Sequence, residues 1–134
     1  MKNVMLFIAL FAFAQTAFSQ ASKVPETVKM AFAKAYPNAD DVEWELEDGN
    51  FEVEFEMAED QEMSVVYDAK GNLLETEVPI PFSELPKAVQ EALKGKKVKE
   101  TVKITNAKGI VTYEAEVGRK DLLFDEQGNP VKQS

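Results

Sequence analysis

The chain has 134 residues, a net charge of −9, and neither histidine nor cysteine. Those two absences exclude Ser-His and Cys-His nucleophiles, histidine-bound zinc and thiolate centres, and leave packing without disulfides to hold the fold. An acidic balance of this size repels polyanions, so nucleic acid is not an expected partner.

Residues 1–19 read as an export signal. Lys2 supplies the positive start, Val4 to Phe13 the apolar run, and Ala17-Phe18-Ser19 a small-x-small cleavage site. The apolar run is shorter than the roughly 20 residues that a membrane span needs. With no cysteine to carry a lipid, no membrane anchor is expected after cleavage. Cleavage leaves residues 20–134, the size of a single domain, in the periplasm or outside the cell. Losing Lys2 moves the net charge to −10.

The first helix is expected from Pro25 to Tyr36. Pro25 is pre-set for a helix start, Pro37 forbids continuation, and Val28, Ala31, Phe32, Ala35 and Tyr36 form an apolar stripe. The period then changes from 3.6 to 2. Val42, Trp44 and Leu46 alternate with Glu43, Glu45 and Glu47, and Phe51, Val53, Phe55 and Met57 alternate with Glu52, Glu54 and Glu56. Met63, Val65 and Tyr67 continue the apolar face, and Leu73 to Val78 is a weaker fourth strand. Asp48-Gly49 is a two-residue hairpin turn, and Asp68 to Gly71 a type I turn closed by a left-handed glycine. Pro79-Ile80-Pro81 is too stiff and too poor in donors for a central strand.

The unit then recurs. Val24-Pro25-x-x-Val28-x-x-x-Phe32 returns as Leu85-Pro86-x-x-Val89-x-x-x-Leu93, and Tyr67-Asp68-Ala69-Lys70-Gly71-Asn72 as Phe124-Asp125-Glu126-Gln127-Gly128-Asn129. The offset is 61 at the helices, 62 at the second strand and 57 at the final turn, which a shortened loop between the later copy's second and third strands explains. Strands are expected at Val98 to Thr105, Ile110 to Val117 and Asp121 to Phe124, with a short tail near Val131. The repeats are 20–80 and 81–134, sharing one sheet and one core. The expected class is α+β: a tandem repeat of helix plus antiparallel strands, forming one curved antiparallel sheet of seven or eight strands with both helices on one face.

The Val/Leu-Pro-x-x-Val helix start, the Tyr36-Pro37-Asn38-Ala39 exit, the tryptophan-bearing first strand and the Asp-x-x-Gly-Asn hairpin resemble the PepSY-like, beta-lactamase-inhibitor-like family of secreted Gram-negative envelope proteins. The resemblance covers nearly all of residues 20–134. It implies a secreted, non-enzymatic protein whose concave sheet face is suited to a protein partner. No segment matches the inhibitor's loops residue by residue, so inhibition is not carried over.

On the face turned away from the helices, the Asp48-Gly49 turn sets Glu47 opposite Asn50, Glu45 opposite Glu52 and Glu43 opposite Glu54. Like charges so placed are unfavourable by up to about 1 kcal/mol per pair. Glu43, Glu45, Glu47, Glu52, Glu54 and Glu56 are therefore the candidate partner-binding residues, extended by Glu62, with a basic protein surface or cationic peptide as the expected ligand. With Asn106 to Gly109 as a four-residue loop, the second copy would relieve the conflict by setting Lys99 opposite Glu116 and Thr101 opposite Glu114. Its lysines Lys94, Lys96, Lys97 and Lys99 cluster at the helix exit, which suits the helix dipole and also admits self-association.

The competing reading is a structural or envelope-maintenance protein whose glutamates only keep the sheet soluble. A glycosidase-like pair of these carboxylates is a distant third, because an open face leaves both acids ionised. No cofactor is expected. Calcium lacks its Asp-x-Asp-x-Asp-Gly loop, and Asp40-Asp41 and Glu59-Asp60 read as turn formers.

Overall fold

A computed structural model describes residues 21–132; the expected export signal lies outside them. The described chain runs α1 (Glu26–Ala35), β1 (Asp40–Glu47), β2 (Asn50–Met57), β3 (Gln61–Tyr67), β4 (Leu73–Pro79), α2 (Lys87–Ala92), β5 (Val98–Asn106), β6 (Val111–Val117) and β7 (Lys120–Phe124). The strands form a seven-stranded sheet whose order follows the chain from β1 to β7. The class is α+β, and the antiparallel ladders β1–β2 and β2–β3 recur as β5–β6 and β6–β7. The residues fall into two compact units, divided between Thr76 and Glu77.

In the first unit, Pro25 holds the position before α1, and its carbonyl accepts the N–H groups of Val28 and Lys29. At the other end Tyr36 donates its N–H to Phe32 at 2.8 Å, and Pro37 blocks a further turn. The helix buries Val28 and Phe32 against Trp44, Phe51, Val53, Phe55, Val65 and Tyr67, the alternate residues of β1, β2 and β3. In the second unit α2 sets Val89, with Leu85 before it and Leu93 after it, against Tyr113, Ala115 and Phe124. Among the described residues each copy thus closes its own apolar cluster, where the length of the chain suggested a shared one.

The Asp48-Gly49 hairpin is as expected, with both residues at positive φ, which matches the right-handed twist of the strands it joins. The Asp-x-x-Gly-Asn turns share one geometry. Asp68 Oδ1 accepts the N–H groups of Lys70 and Asn72, both at 2.9 Å, and Asn72 Nδ2 donates to Asp68 Oδ2. Asp125 does the same with Gln127 and Asn129. The glycine of each turn lies against its own unit's helix. A Cβ on Gly71 would come within 3.0 Å of the Thr27 carbonyl oxygen, and one on Gly128 within 2.5 Å of that of Ala88.

A third turn of this kind corrects the expected register of the second copy. Asn106 Oδ1 accepts from Lys108 and Ile110, and the Asn106 N–H donates to the Ile110 carbonyl, so the loop closes over five residues and not four. Pairing begins at Thr105 and Val111, and the ladder is displaced by one residue. Thr101 lies opposite Ala115, not Glu114, and Val102 lies opposite Glu114. Because a one-residue slip exchanges the faces of a strand, Val102 and Ile104 share a face with Glu114 and Thr112. The Thr101 hydroxyl donates to the Ile80 carbonyl, and Ile80 returns its N–H to Thr101 at 3.0 Å, which ties the Pro79-Ile80-Pro81 connector to β5.

The connection between β2 and β3 is a short 3₁₀ segment, Ala58–Asp60, whereas β6 and β7 are joined by Gly118 and Arg119 alone. The loop is thus only one residue shorter in the later copy; the rest of the offset, expected from the loop alone, comes from the strands, since the ladder from Phe51–Tyr67 to Met57–Gln61 is two pairs longer than that from Tyr113–Phe124 to Val117–Lys120. The tail adds no full strand among the described residues: Pro130 bridges to Phe124, and Val131 donates to the Leu123 carbonyl.

Candidate functional site

Three adjacent strands array the candidate carboxylates. Trp44, Val53, Phe55 and Val65 turn toward α1, so the residues alternating with them face away from it. The ladder sets Glu47 opposite Asn50, Glu45 opposite Glu52 and Glu43 opposite Glu54, as the two-residue turn requires. On the far side of β2, Glu56 meets Glu62, Glu54 meets Ser64 and Glu52 meets Val66. The start of β1 is bulged, with Asp41 at φ 48°, and the pairing of Asp40 with Glu56 adds acid to that corner. Glu59 and Asp60, also at positive φ, form the adjoining turn.

The six candidates are not equally accessible. Glu43 and Glu45 are exposed, and Glu47, Glu54 and Glu56 are half-buried. Glu52 is only 4% exposed, a correction to the uniformly bare face that alternation suggested. It occupies the middle strand of the three, between Glu45 on β1 and Val66 on β3, where neighbours on both sides shield it. Glu75 on β4 was not legible as a member. Its carboxyl is held above the ordinary carboxylate range by burial and then by the charge of Glu47, a relation across strands that no local sequence pattern carries.

The crowding is visible in the proton affinities. Glu54 is raised by burial first and then by the charges of Glu45, Glu43 and Glu62. Glu56 is raised by loss of hydration, then by Asp41, Asp60, Glu62 and Asp40. The second copy has a different pattern. Glu100 lies opposite Glu116, a like pair that the expected register had avoided, but Lys99 Nζ sits 3.5 Å from Glu116 and 2.7 Å from the Gly118 carbonyl. A lysine thus moderates the second copy's pair, while several carboxylates converge on Glu54 in the first.

The family described as "Putative beta-lactamase-inhibitor-like, PepSY-like" matches residues 14–75 and again residues 64–132. The chain belongs to this PepSY-like family. The family is described by likeness to a protein inhibitor and not by a reaction. Among solved structures, a BLIP-like protein from Bacteroides fragilis is 25% identical, with 82% of this chain and 84% of that one covered and a TM-score of 0.65. A DUF2874 family protein from Bacteroides uniformis is 23% identical over 81% of this chain and 86% of that one, with a TM-score of 0.72. A chain from Bacteroides eggerthii described as "putative periplasmic proteins" is 19% identical over 83% and 88%, with a TM-score of 0.73. The latter two share the fold. No curated protein matches the chain.

The shifted acids of this PepSY-like chain set the sign of its pH dependence. Glu54, Glu56 and Glu75 hold protons more tightly folded than unfolded, so their charges cost stability at neutral pH. That cost is relieved as pH falls through their raised values toward the ordinary 4.5. Asp68 and Asp125 run the other way. Asp68 is lowered chiefly by the side-chain hydrogen bond from Asn72, and Asp125 by the backbone and side-chain bonds from Asn129. Their contribution is complete above the ordinary 3.8 and is lost as pH falls below it. Thermal melts should therefore show Tm rising from neutral to mildly acidic pH and falling in stronger acid. A Tm that declines steadily from pH 7 downward would contradict the crowding.

Proposed function

We propose that this protein is a secreted, non-enzymatic binding module that holds a basic protein segment or peptide against the carboxylate face of β1, β2 and β3. The observation that carries the reading is the pairing of Glu43 with Glu54 and Glu45 with Glu52, beside Glu62. Like charges placed directly opposite one another oppose folding, and a cationic ligand turns that cost into binding energy. Glu54, raised by those neighbours, marks the centre of the array. Family membership and the likeness to a BLIP-like protein support a binding role over a catalytic one. The Bacteroides eggerthii neighbour and the signal-like N-terminus support the periplasm or the exterior as the location.

Carboxylates recur every second residue along β1, at Glu43, Glu45 and Glu47, about 6.8 Å apart, the first two exposed. An extended peptide with lysine at alternate positions presents cations at the same interval. Such a peptide should bind at low ionic strength, weaken as salt rises, and lose at least about tenfold in affinity, or about 1.4 kcal/mol, with Glu43→Gln, Glu45→Gln and Glu54→Gln combined. Isothermal titration calorimetry of both proteins, with the glutamate version of the peptide as control, measures this. Equal affinities for wild type and variant would reject the reading.

One observation favours a second reading. β1 lies at the edge of the sheet order, and a bulge with acidic side chains is a common guard against edge-to-edge pairing. If guarding is the whole role, the peptide does not bind and the variant aggregates more readily than wild type.

A further inference from the structure

The second unit carries an opposite charge feature that its register assembles. Val98 at the start of β5 pairs with Val117 at the end of β6, and Val117 pairs with Lys120 at the start of β7. Those three strand ends therefore lie side by side. The segment entering β5 brings Lys94, Lys96 and Lys97, the turn between β6 and β7 brings Arg119, and Lys99 and Lys120 complete the group. All six are exposed. Glu116 is already engaged by Lys99, and Asp121 and Glu100 are the other acids on these strand ends. A helix C-terminus accounts for a lysine or two after α2, but not for Arg119 and Lys120 on a different hairpin.

We propose that this basic end docks on the carboxylate face of β1–β3 of a second copy, so that the chains associate head to tail. The inference rests on the reading of that face as a cation-binding surface and names its partner. The cations come from two chain segments that lie side by side, the approach to β5 and the β6–β7 hairpin, as the carboxylates come from neighbouring strands about 4.8 Å apart. The net negative charge of each copy opposes approach at long range. It is screened beyond about 8 Å at physiological ionic strength, which leaves the local match to decide. Because the two surfaces differ, each contact joins the basic end of one copy to the carboxylate face of another.

Two variants test this by sedimentation equilibrium. One reverses the basic end with Lys94→Glu, Lys96→Glu and Lys97→Glu; the other neutralises the face with Glu43→Gln, Glu45→Gln and Glu54→Gln. Wild type should gain mass with concentration at low salt and return to monomer in high salt. Each variant alone should stay monomeric. An equimolar mixture, in which only one pair of complementary surfaces survives, should reach about twice the monomer mass and stop there. A wild type that is monomeric throughout, a mixture that stays monomeric, or a basic-end variant that still associates would each overturn the proposal. If the mixture stays monomeric while the face variant loses the cationic peptide, self-association fails and the binding face stands.

Discussion

Gly128→Ala should lower stability by about 2–5 kcal/mol, the largest cost expected among the glycine-to-alanine changes in this chain. Two effects combine. Gly128 sits at φ +79°, where an L side chain costs roughly 1–2 kcal/mol. Its Cβ would also lie 2.5 Å from the carbonyl oxygen and 2.8 Å from the carbonyl carbon of Ala88, so α2 has to move, at roughly 1–3 kcal/mol more. Gly109 provides the internal control. It occupies the same position in the Asn106 turn at the same φ, but a Cβ there meets nothing within 4 Å. Gly71 is intermediate, with the Thr27 oxygen at 3.0 Å and Ala31 Cβ at 3.4 Å. Urea melts of the three alanine variants should rank the losses Gly128, then Gly71, then Gly109. Equal losses at Gly128 and Gly109 would mean that the turn does not rest on the helix.

Phe32→Ala should cost about 3–5 kcal/mol, enough to threaten folding in a domain of ordinary stability. Phe32 is 6% exposed and is the hub of an aromatic group. Its ring lies 5.5 Å from Trp44 and 5.0 Å from Phe55, both near edge-to-face, and 5.7 Å from Tyr36. Truncation removes transfer energy, opens a cavity and loses those ring contacts together. Trp44 is the chain's one tryptophan, so its emission reports the site directly. The variant should unfold at lower urea, with native emission shifted to the red as water reaches the indole. A loss below about 2 kcal/mol would show that the rings repack without their hub.

The parts of this molecule legible in the sequence are those set by neighbours along the chain. Pro25 and Pro37 bracket α1, and the switch to alternation places β1 and β2. The Asp48-Gly49 turn by itself fixes the Glu45–Glu52 and Glu43–Glu54 pairs. The register of β5 and β6 was misread for an equally local reason. Asn106-Ala107-Lys108-Gly109 repeats Asp68-Ala69-Lys70-Gly71 with only the first residue changed, and asparagine offers the same side-chain acceptor as aspartate. Recognising that turn makes the loop five residues long and puts Val102 opposite Glu114. The burial of Glu52 and the tie between Glu47 and Glu75 had no such signal, since both depend on strands that alternation alone does not align.

The strictly sequential order of the sheet has a kinetic consequence. Each strand lies beside the one before it, so the hairpin ladders close short loops, and the longest connection, residues 80–97 between β4 and β5, holds α2 and no strand. A chain that emerges from its N-terminus zips these ribbons one after another as they appear. Strand addition keeps pace with emergence, and an arrested chain already holds its leading hairpins in native register.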